Sequence, residues 1–274
     1  MKARINHLTI LSEDHYALGR FYEGFFHMRP AATQQPLGDV RIGDGHVGLN
    51  INPRLSGYRA QLERFGIEVD DIAQAMGRIR ERYPAIEWLE PPSGESPASQ
   101  KGASISIHDP DGNVFILSQA GRKDRDDIYE PSDQKQARAI DHVALRVLHP
   151  RQVAEFYETV FELKRLDRPS DNGTVFLSDG NVTLVVIPWR LSDFLGTGIS
   201  ARGMDHIGFR VESVAALKAD IEQATARNPG FQPSSSVVGR GKEGGGRLTM
   251  FRKSCPLGCH HFADPDGLLL DVTE

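Results

Sequence analysis

The chain has 274 residues, of which 39% are hydrophobic and 25% charged, a composition typical of a soluble globular protein long enough to bury two cores. A net charge of −5 gives no electrostatic reason to expect nucleic acid or an anionic membrane as partner. No apolar run approaches the ~20 residues that span a bilayer. The N-terminus does not read as a signal peptide, and two cysteines do not make a disulfide framework, so a cytoplasmic setting is expected.

In chain order, Asn6-His7-Leu8-Thr9-Ile10 predicts a first strand. A helix follows from Tyr16 to Met28, ended by Pro30. Phe65 to Asp70 predicts a second long strand and Asp71 to Arg82 a second helix; Asp109-Pro110-Asp111-Gly112 is a turn before another strand. The charged, apolar-poor segment 121–138 reads as a linker. The same series then runs again. Asp141-His142-Val143-Ala144-Leu145 matches the first strand, and Phe156-Tyr157-Glu158 matches Phe21-Tyr22-Glu23. Ile207 to Glu212 matches Phe65 to Asp70, a helix is expected over Ser213 to Ala226, and Asp264-Pro265-Asp266-Gly267 repeats the turn. Four anchors in one order identify a duplication. A calcium loop at the paired aspartates is disfavoured, because turn hydrogen bonding accounts for one aspartate of each pair.

The offset between copies grows from 135 residues at His7 and His142 to 142 at Arg64 and His206 and 155 at Ile116 and Asp271. Most of the growth falls around Gly239–Arg247, whose glycines predict a mobile flap or a long surface hairpin loop.

Period-2 alternation places Val143, Leu145 and Val147 on a core face and His142, Ala144 and Arg146 on the other. Ile207, Phe209 and Val211 likewise oppose His206, Gly208 and Arg210, and Asp271 lies between Leu269 and Thr273. One such histidine is readily explained as a hydrogen-bonded core residue. Three residues placed alike, His142, His206 and Asp271, instead suit a mononuclear divalent metal, two neutral imidazoles and a charge-offsetting carboxylate leaving positions open.

Strand–helix–strands units with a histidine on the first strand, Phe-Tyr in the helix and DPDG before the last strand resemble the vicinal oxygen chelate superfamily of glyoxalases, bleomycin-resistance proteins and extradiol dioxygenases. The resemblance implies an α+β fold of four βαβββ modules in two tandem domains, 1–120 and 139–274, each an incompletely closed mixed β-barrel with outer helices. It also places a carboxylate ligand four residues past the DPDG glycine, at Asp271. The first copy has His7, Arg64 and Ile116 at these positions; a guanidinium stays protonated and cannot ligate, so this half is expected to carry no metal. Arg64 and Glu68 share a face and are expected to pair.

Ligands confined to the second half resemble the two-domain extradiol dioxygenases, which implies Fe(II), a catechol-like substrate and dioxygen. Mn(II), Zn(II) or Ni(II) with lyase, isomerase or hydrolase chemistry fits the same ligands, and a small-molecule binding protein is a third reading. Two departures limit the match. Aspartate replaces the usual glutamate, and His261 stands where the family usually has a tyrosine, so His261 or His260 is expected to move the proton. Arg146 and Arg210 either hold a substrate carboxylate or mark solvated strand ends. Cys255 and Cys259 are expected as loop residues beside the site rather than as a structural zinc site. A homo-oligomer is expected from the resemblance.

Overall fold

The computed structural model describes residues 1–31, 38–89, 104–121, 136–194, 202–234, 242–255 and 257–274. It contains four successive modules. The first is β1 (Ala3–Ser12), α1 (His15–Phe26), β2 (Arg29–Pro30), β3 (Val40–Gly43) and β4 (Gly48–Pro53). The second is β5 (Gln61–Val69), α2 (Ile72–Arg82), β6 (Trp88–Leu89), β7 (Ser104–His108) and β8 (Val114–Gln119). The third repeats the first as β9 (Ala139–Val147), α3 (Pro150–Phe161), β10 (Lys164–Arg165), β11 (Val175–Ser178) and β12 (Thr183–Pro188), followed by the short helix α4 (Leu191–Phe194). The fourth is β13 (Gly203–Arg210), α5 (Val214–Arg227), a 3-10 turn (Pro229–Phe231), α6 (Lys242–Ser254), β14 (His260–Ala263) and β15 (Leu269–Thr273).

The modules pair into two open mixed sheets. Their orders are β2-β3-β4-β1-β5-β8-β7-β6 and β10-β11-β12-β9-β13-β15-β14. In both, the two histidine-bearing strands or their counterparts run antiparallel at the centre, each flanked by a parallel partner.

Helix ends follow the residues that satisfy their free amides. Asp14 accepts from Ala17 N–H, Asp71 from Gln74 N–H and Ser213 from Ala216 N–H, while Pro150 sits in the first turn of α3, where a missing N–H costs nothing. α1 and α3 both stop on a left-handed residue, His27 (φ 55°) and Glu162 (φ 58°), at equivalent places in the repeat.

One hydrophobic core spans both sheets. Phe26 of α1 stacks on Phe209 of β13 with ring centroids 3.9 Å apart, and Tyr157 of α3 lies 6.0 Å from Phe65 of β5 and 5.8 Å from Phe115 of β8. The first helix of each half therefore packs across onto the other half. The DPDG turns fasten this crossing: Tyr22 Oη donates to Asp264 at 2.7 Å and Tyr157 Oη to Asp109 at 3.3 Å. Asp266 accepts from Ser12 Oγ and Glu13 N–H, and Asp111 accepts from Leu148 and His149 N–H. The aspartates thus serve the turn and the opposite half together, a role beyond turn formation that the sequence motif does not reveal.

Two expectations need correction, and a third falls largely outside the described residues. The insertion near Gly239–Arg247 does not run on as a hairpin loop: from Lys242 it is the helix α6, with residues 239–241 outside the described residues. Its Leu248 and Phe251 bury against Ala263 and Leu269, and that burial offsets the poor helix propensity of its three glycines. Of the linker, 122–135 lies outside the described residues, but Arg138 at its end is buried, donating to Glu212, Asp220 and the carbonyl of Phe25. Arg64 and Glu68 do not pair. Glu68 is taken by Arg4 at 2.8 Å and by Asn6, and Arg64 lies 3.6 Å from Glu63.

Candidate metal centre

β9, β13 and β15 lie side by side, and alternation sends Val143, Leu145, Ile207, Phe209, Leu270 and Val272 into the core. His142, His206 and Asp271 emerge together on the opposite face. All three are buried all the same, and their ligand atoms lie within 4.8 Å of one another. His142 Nε2 is 3.2 Å from His206 Nε2 and 3.2 Å from Asp271 Oδ2. Nitrogen ligands at ~2.0–2.1 Å from a common ion stand roughly 3 Å apart, so these spacings fit one ion.

The outer nitrogens are already engaged. Asp141 Oδ2 is 3.0 Å from Nδ1 of His142, and Asp205 Oδ2 is 2.8 Å from Nδ1 of His206. A carboxylate behind each imidazole fixes its tautomer and turns the Nε2 lone pair inward, as metal-binding histidines require. Burial opposes protonation of His142, but Asp141 and Asp271 outweigh it and hold its pKa above the ordinary value; in His206 burial prevails over Asp205 and the pKa falls. Burial also opposes charge on Asp271, yet His142 and His261 keep it ionised far below the usual carboxylate range. Asp271 Oδ1 and His261 Nε2 are both buried and without a hydrogen bond among the described residues, although they face each other at 3.1 Å. A buried, ionised carboxylate beside two converging imidazoles is the environment a divalent cation satisfies.

Glycines supply the room. A Cβ on Gly208 would collide with the ring of His142 from the neighbouring strand, and one on Gly258 would collide with the Asp271 carboxylate. Gly66 makes the same allowance for His7 in the first half, where His7 Nδ1 is 2.8 Å from Asn6 Oδ1. There Arg64 and Ile116 replace the other two candidate ligands, and among the described residues no cluster of potential metal ligands forms.

His261 reaches the centre, whereas His260 does not. Adjacent residues of β14 point to opposite faces, so His260 lies beside Phe262 in a cleft lined by Lys218 and Glu222 of α5, where burial and Lys218 push its pKa down to about 4. Arg146 does not mark a solvated strand end. Arg146 is buried, with Nε donating to Asp205 at 2.8 Å and Nη1 to Asp193 at 3.3 Å. Arg210, half-buried, acts electrostatically on Asp141 and helps keep it ionised. Each arginine thus supports the aspartate behind the histidine of the other strand.

Sequence reasoning missed two contributors and placed a third, Cys255, only as a loop residue beside the site. Asp141 and Asp205 were visible as the dipeptides Asp141-His142 and Asp205-His206, mirrored by Asn6-His7. Cys255 carried no such signal. Its Sγ donates to Asp271 Oδ2 at 2.8 Å and lies 3.8 Å from His206 Nε2, and burial followed by the Asp271 charge pushes its pKa well up, so the thiol is protonated. Cys259 is exposed and its Sγ contacts the carbonyl of Val272. On the site face beside His142, Ala144, Phe176, Val185 and Ile187 form a separate apolar cluster.

Residues 139–272 match the family model described as the Glyoxalase/Bleomycin resistance protein/Dioxygenase superfamily. No curated protein matches the chain in sequence. Among solved structures, the Mn(II)-bound glyoxalase from Novosphingobium aromaticivorans is similar at TM-score 0.61 and 13% identity, over 98% of this chain and 80% of that one. A catechol 2,3-dioxygenase is similar at TM-score 0.60 and 13% identity, over 98% and 86%. The 2,2',3-trihydroxybiphenyl 1,2-dioxygenase from dibenzofuran-degrading Sphingomonas wittichii strain RW1 gives 0.59 and 13%, over 99% and 90%. At such identities the likeness is one of fold.

Proposed function

Since residues 139–272 are a domain of the glyoxalase/bleomycin resistance/dioxygenase superfamily, we propose that the chain is a metalloenzyme in which His142, His206 and Asp271 hold one divalent ion and a small substrate binds beside it through two adjacent oxygens. The observation that carries this reading is the convergence of two Nε2 atoms and a buried carboxylate, each imidazole backed by its own aspartate.

Our first assignment of the reaction is ring cleavage of a catechol-like aromatic with Fe(II) and dioxygen. A divalent ion bound here supplies Lewis acidity and, as iron, redox chemistry towards oxygen. The protein supplies the rest. Ala144, Phe176, Val185 and Ile187 offer an apolar wall on the ligand face, suited to orienting a planar ring and excluding water. His261, its Nε2 directed at Asp271 and its ring packed on Phe251 at 5.1 Å, is placed to take a substrate hydroxyl proton and return it to the product.

A second reading, non-oxidative lyase, isomerase or hydrolase chemistry with Mn(II), Zn(II) or Ni(II), is favoured by Cys255, a thiol in contact with the ligand set. Anaerobically purified protein loaded with Fe(II) is expected to consume oxygen with a catechol and yield a yellow ring-fission product. Turnover only with another metal would move the assignment to the second reading. Absence of stoichiometric binding for all four ions would overturn both.

A further inference from the structure

We propose that Cys255 is a fourth protein ligand of the metal centre, delivered by the end of helix α6 to the position beside His206 and Asp271. The inference rests on the metal-centre reading above and is independent of the reaction assigned to it.

Cys255 Sγ is in reach of two of the three candidate ligands, and with His261 and Asp271 it forms a second group of potential metal ligands. The spacing of His142 Nε2 from His206 Nε2 and from Asp271 Oδ2 is 3.2 Å in each case, and Cys255 Sγ lies 3.8 Å from His206 Nε2. For an ion with bonds of ~2.0–2.1 Å to nitrogen and ~2.3 Å to sulfur in a tetrahedral arrangement, the N···N edge is roughly 3.3 Å and the S···N edge roughly 3.6 Å. The S···O distance of 2.8 Å is shorter than such an edge, so shared coordination requires Cys255 Sγ and Asp271 Oδ2 to move apart by under about 1 Å.

The cysteine is held there by packing rather than left to a loop. Phe251, one turn before it, is buried with its ring 4.7 Å from that of His206 and 5.1 Å from that of His261, and Cys255 N–H donates to the Phe251 carbonyl at 2.9 Å. Leu248 and Phe251 pack on Ala263 and Leu269, which fixes α6 against β14 and β15. Asp271 is itself fully buried, and its Oδ1 faces His261 Nε2 at 3.1 Å, so the carboxylate lies between the thiol and a further imidazole. The insertion that lengthens the fourth module therefore closes the site and brings a soft ligand with it.

Binding exchanges the thiol proton for the ion: the S–H bond breaks, the sulfur–metal bond forms with the same electron pair, and the proton passes to solvent. No electron is transferred. A fourth protein ligand narrows the positions left open to substrate. Thiolate donation also favours borderline ions such as Zn(II) and Co(II) over Mn(II).

The test uses Co(II) alone, added anaerobically to the full chain and to Cys255→Ser and Cys259→Ser, with thermal melts to show that the variants fold. All three are expected to bind one Co(II) with visible d–d bands. Wild type and Cys259→Ser should also show an intense near-ultraviolet sulfur-to-cobalt charge-transfer band, lost in Cys255→Ser together with about tenfold or more in Co(II) affinity. A wild-type protein with d–d bands and no charge-transfer band, or a Cys255→Ser variant that keeps the band, overturns the fourth ligand and leaves the three-ligand centre standing. Failure of wild type to bind Co(II) at all overturns the centre itself.

Discussion

Arg146 on β9 and Asp205 on β13 form a buried cross-strand pair that ends at a candidate metal ligand: Arg146 Nε donates to one carboxylate oxygen at 2.8 Å, while the other oxygen is 2.8 Å from Nδ1 of His206. Burial alone would raise the Asp205 pKa, but Arg146 and His206 hold it far below the carboxylate range, so the charge persists at any working pH. Arg146→Met strands that charge and is expected to cost ~3 kcal/mol by denaturant titration. It should also weaken metal binding about 10-fold. Arg146→Lys restores charge without the fork and should recover part of each. Unchanged metal affinity in Arg146→Met would refute its positioning role.

Asp141→Asn and Asp205→Asn leave shape intact but weaken the hold on each imidazole. Each is expected to lower metal affinity about 10- to 100-fold in competition titrations, with little change in far-ultraviolet circular dichroism. Equal affinity in both variants and wild type would show that the aspartates do not orient the rings.

Gly208→Ala and Gly66→Ala make the same clash in the two halves, against His142 and His7 respectively. Both are expected to destabilise by ~1–3 kcal/mol through overpacking. Only Gly208→Ala should also lose metal, because only His142 faces two further ligands. Loss of metal from both would contradict a metal-free first half.

Asp264 governs a pH effect on stability. Burial outweighs its hydrogen bonds from Tyr22 and Leu268 and lifts its pKa from the ordinary 3.8 to about 7. Between these values the unfolded chain has released a proton that the folded chain keeps, so stability falls as pH rises from about 4 to 7, by up to roughly 4 kcal/mol. Asp264→Asn should flatten that slope in urea melts at several pH values. An unaltered slope would exclude Asp264 as its source.

Tyr22→Phe and Tyr157→Phe remove the hydroxyls that bond Asp264 and Asp109 and should each cost about 1–3 kcal/mol. The loss should be larger for Tyr22, whose bond is shorter. Melting temperatures with and without metal would check both.

Much of this was legible because strands enforce a simple rule: alternation and the duplicated DPDG turn are enough to bring His142, His206 and Asp271 to one face. The same rule sends His260 away from His261, although adjacency in sequence suggested that they were interchangeable. What alternation cannot give is the partner chosen by a long side chain. Glu68 goes to Arg4 and not to Arg64, and Arg146 goes to Asp205, because competing charges lie on neighbouring strands whose register is a tertiary fact. The contact of Cys255 with Asp271 was hidden for a different reason: a glycine-rich segment folds as a helix only by burying Leu248 and Phe251, and no local preference announces it.

The exchanged tyrosines make the two copies guarantors of each other. A copy without metal ligands cannot be discarded, since its DPDG turn holds the helix that follows β9 and its own first helix roofs β13. The architecture thus demands two copies even where only one brings three candidate ligands together.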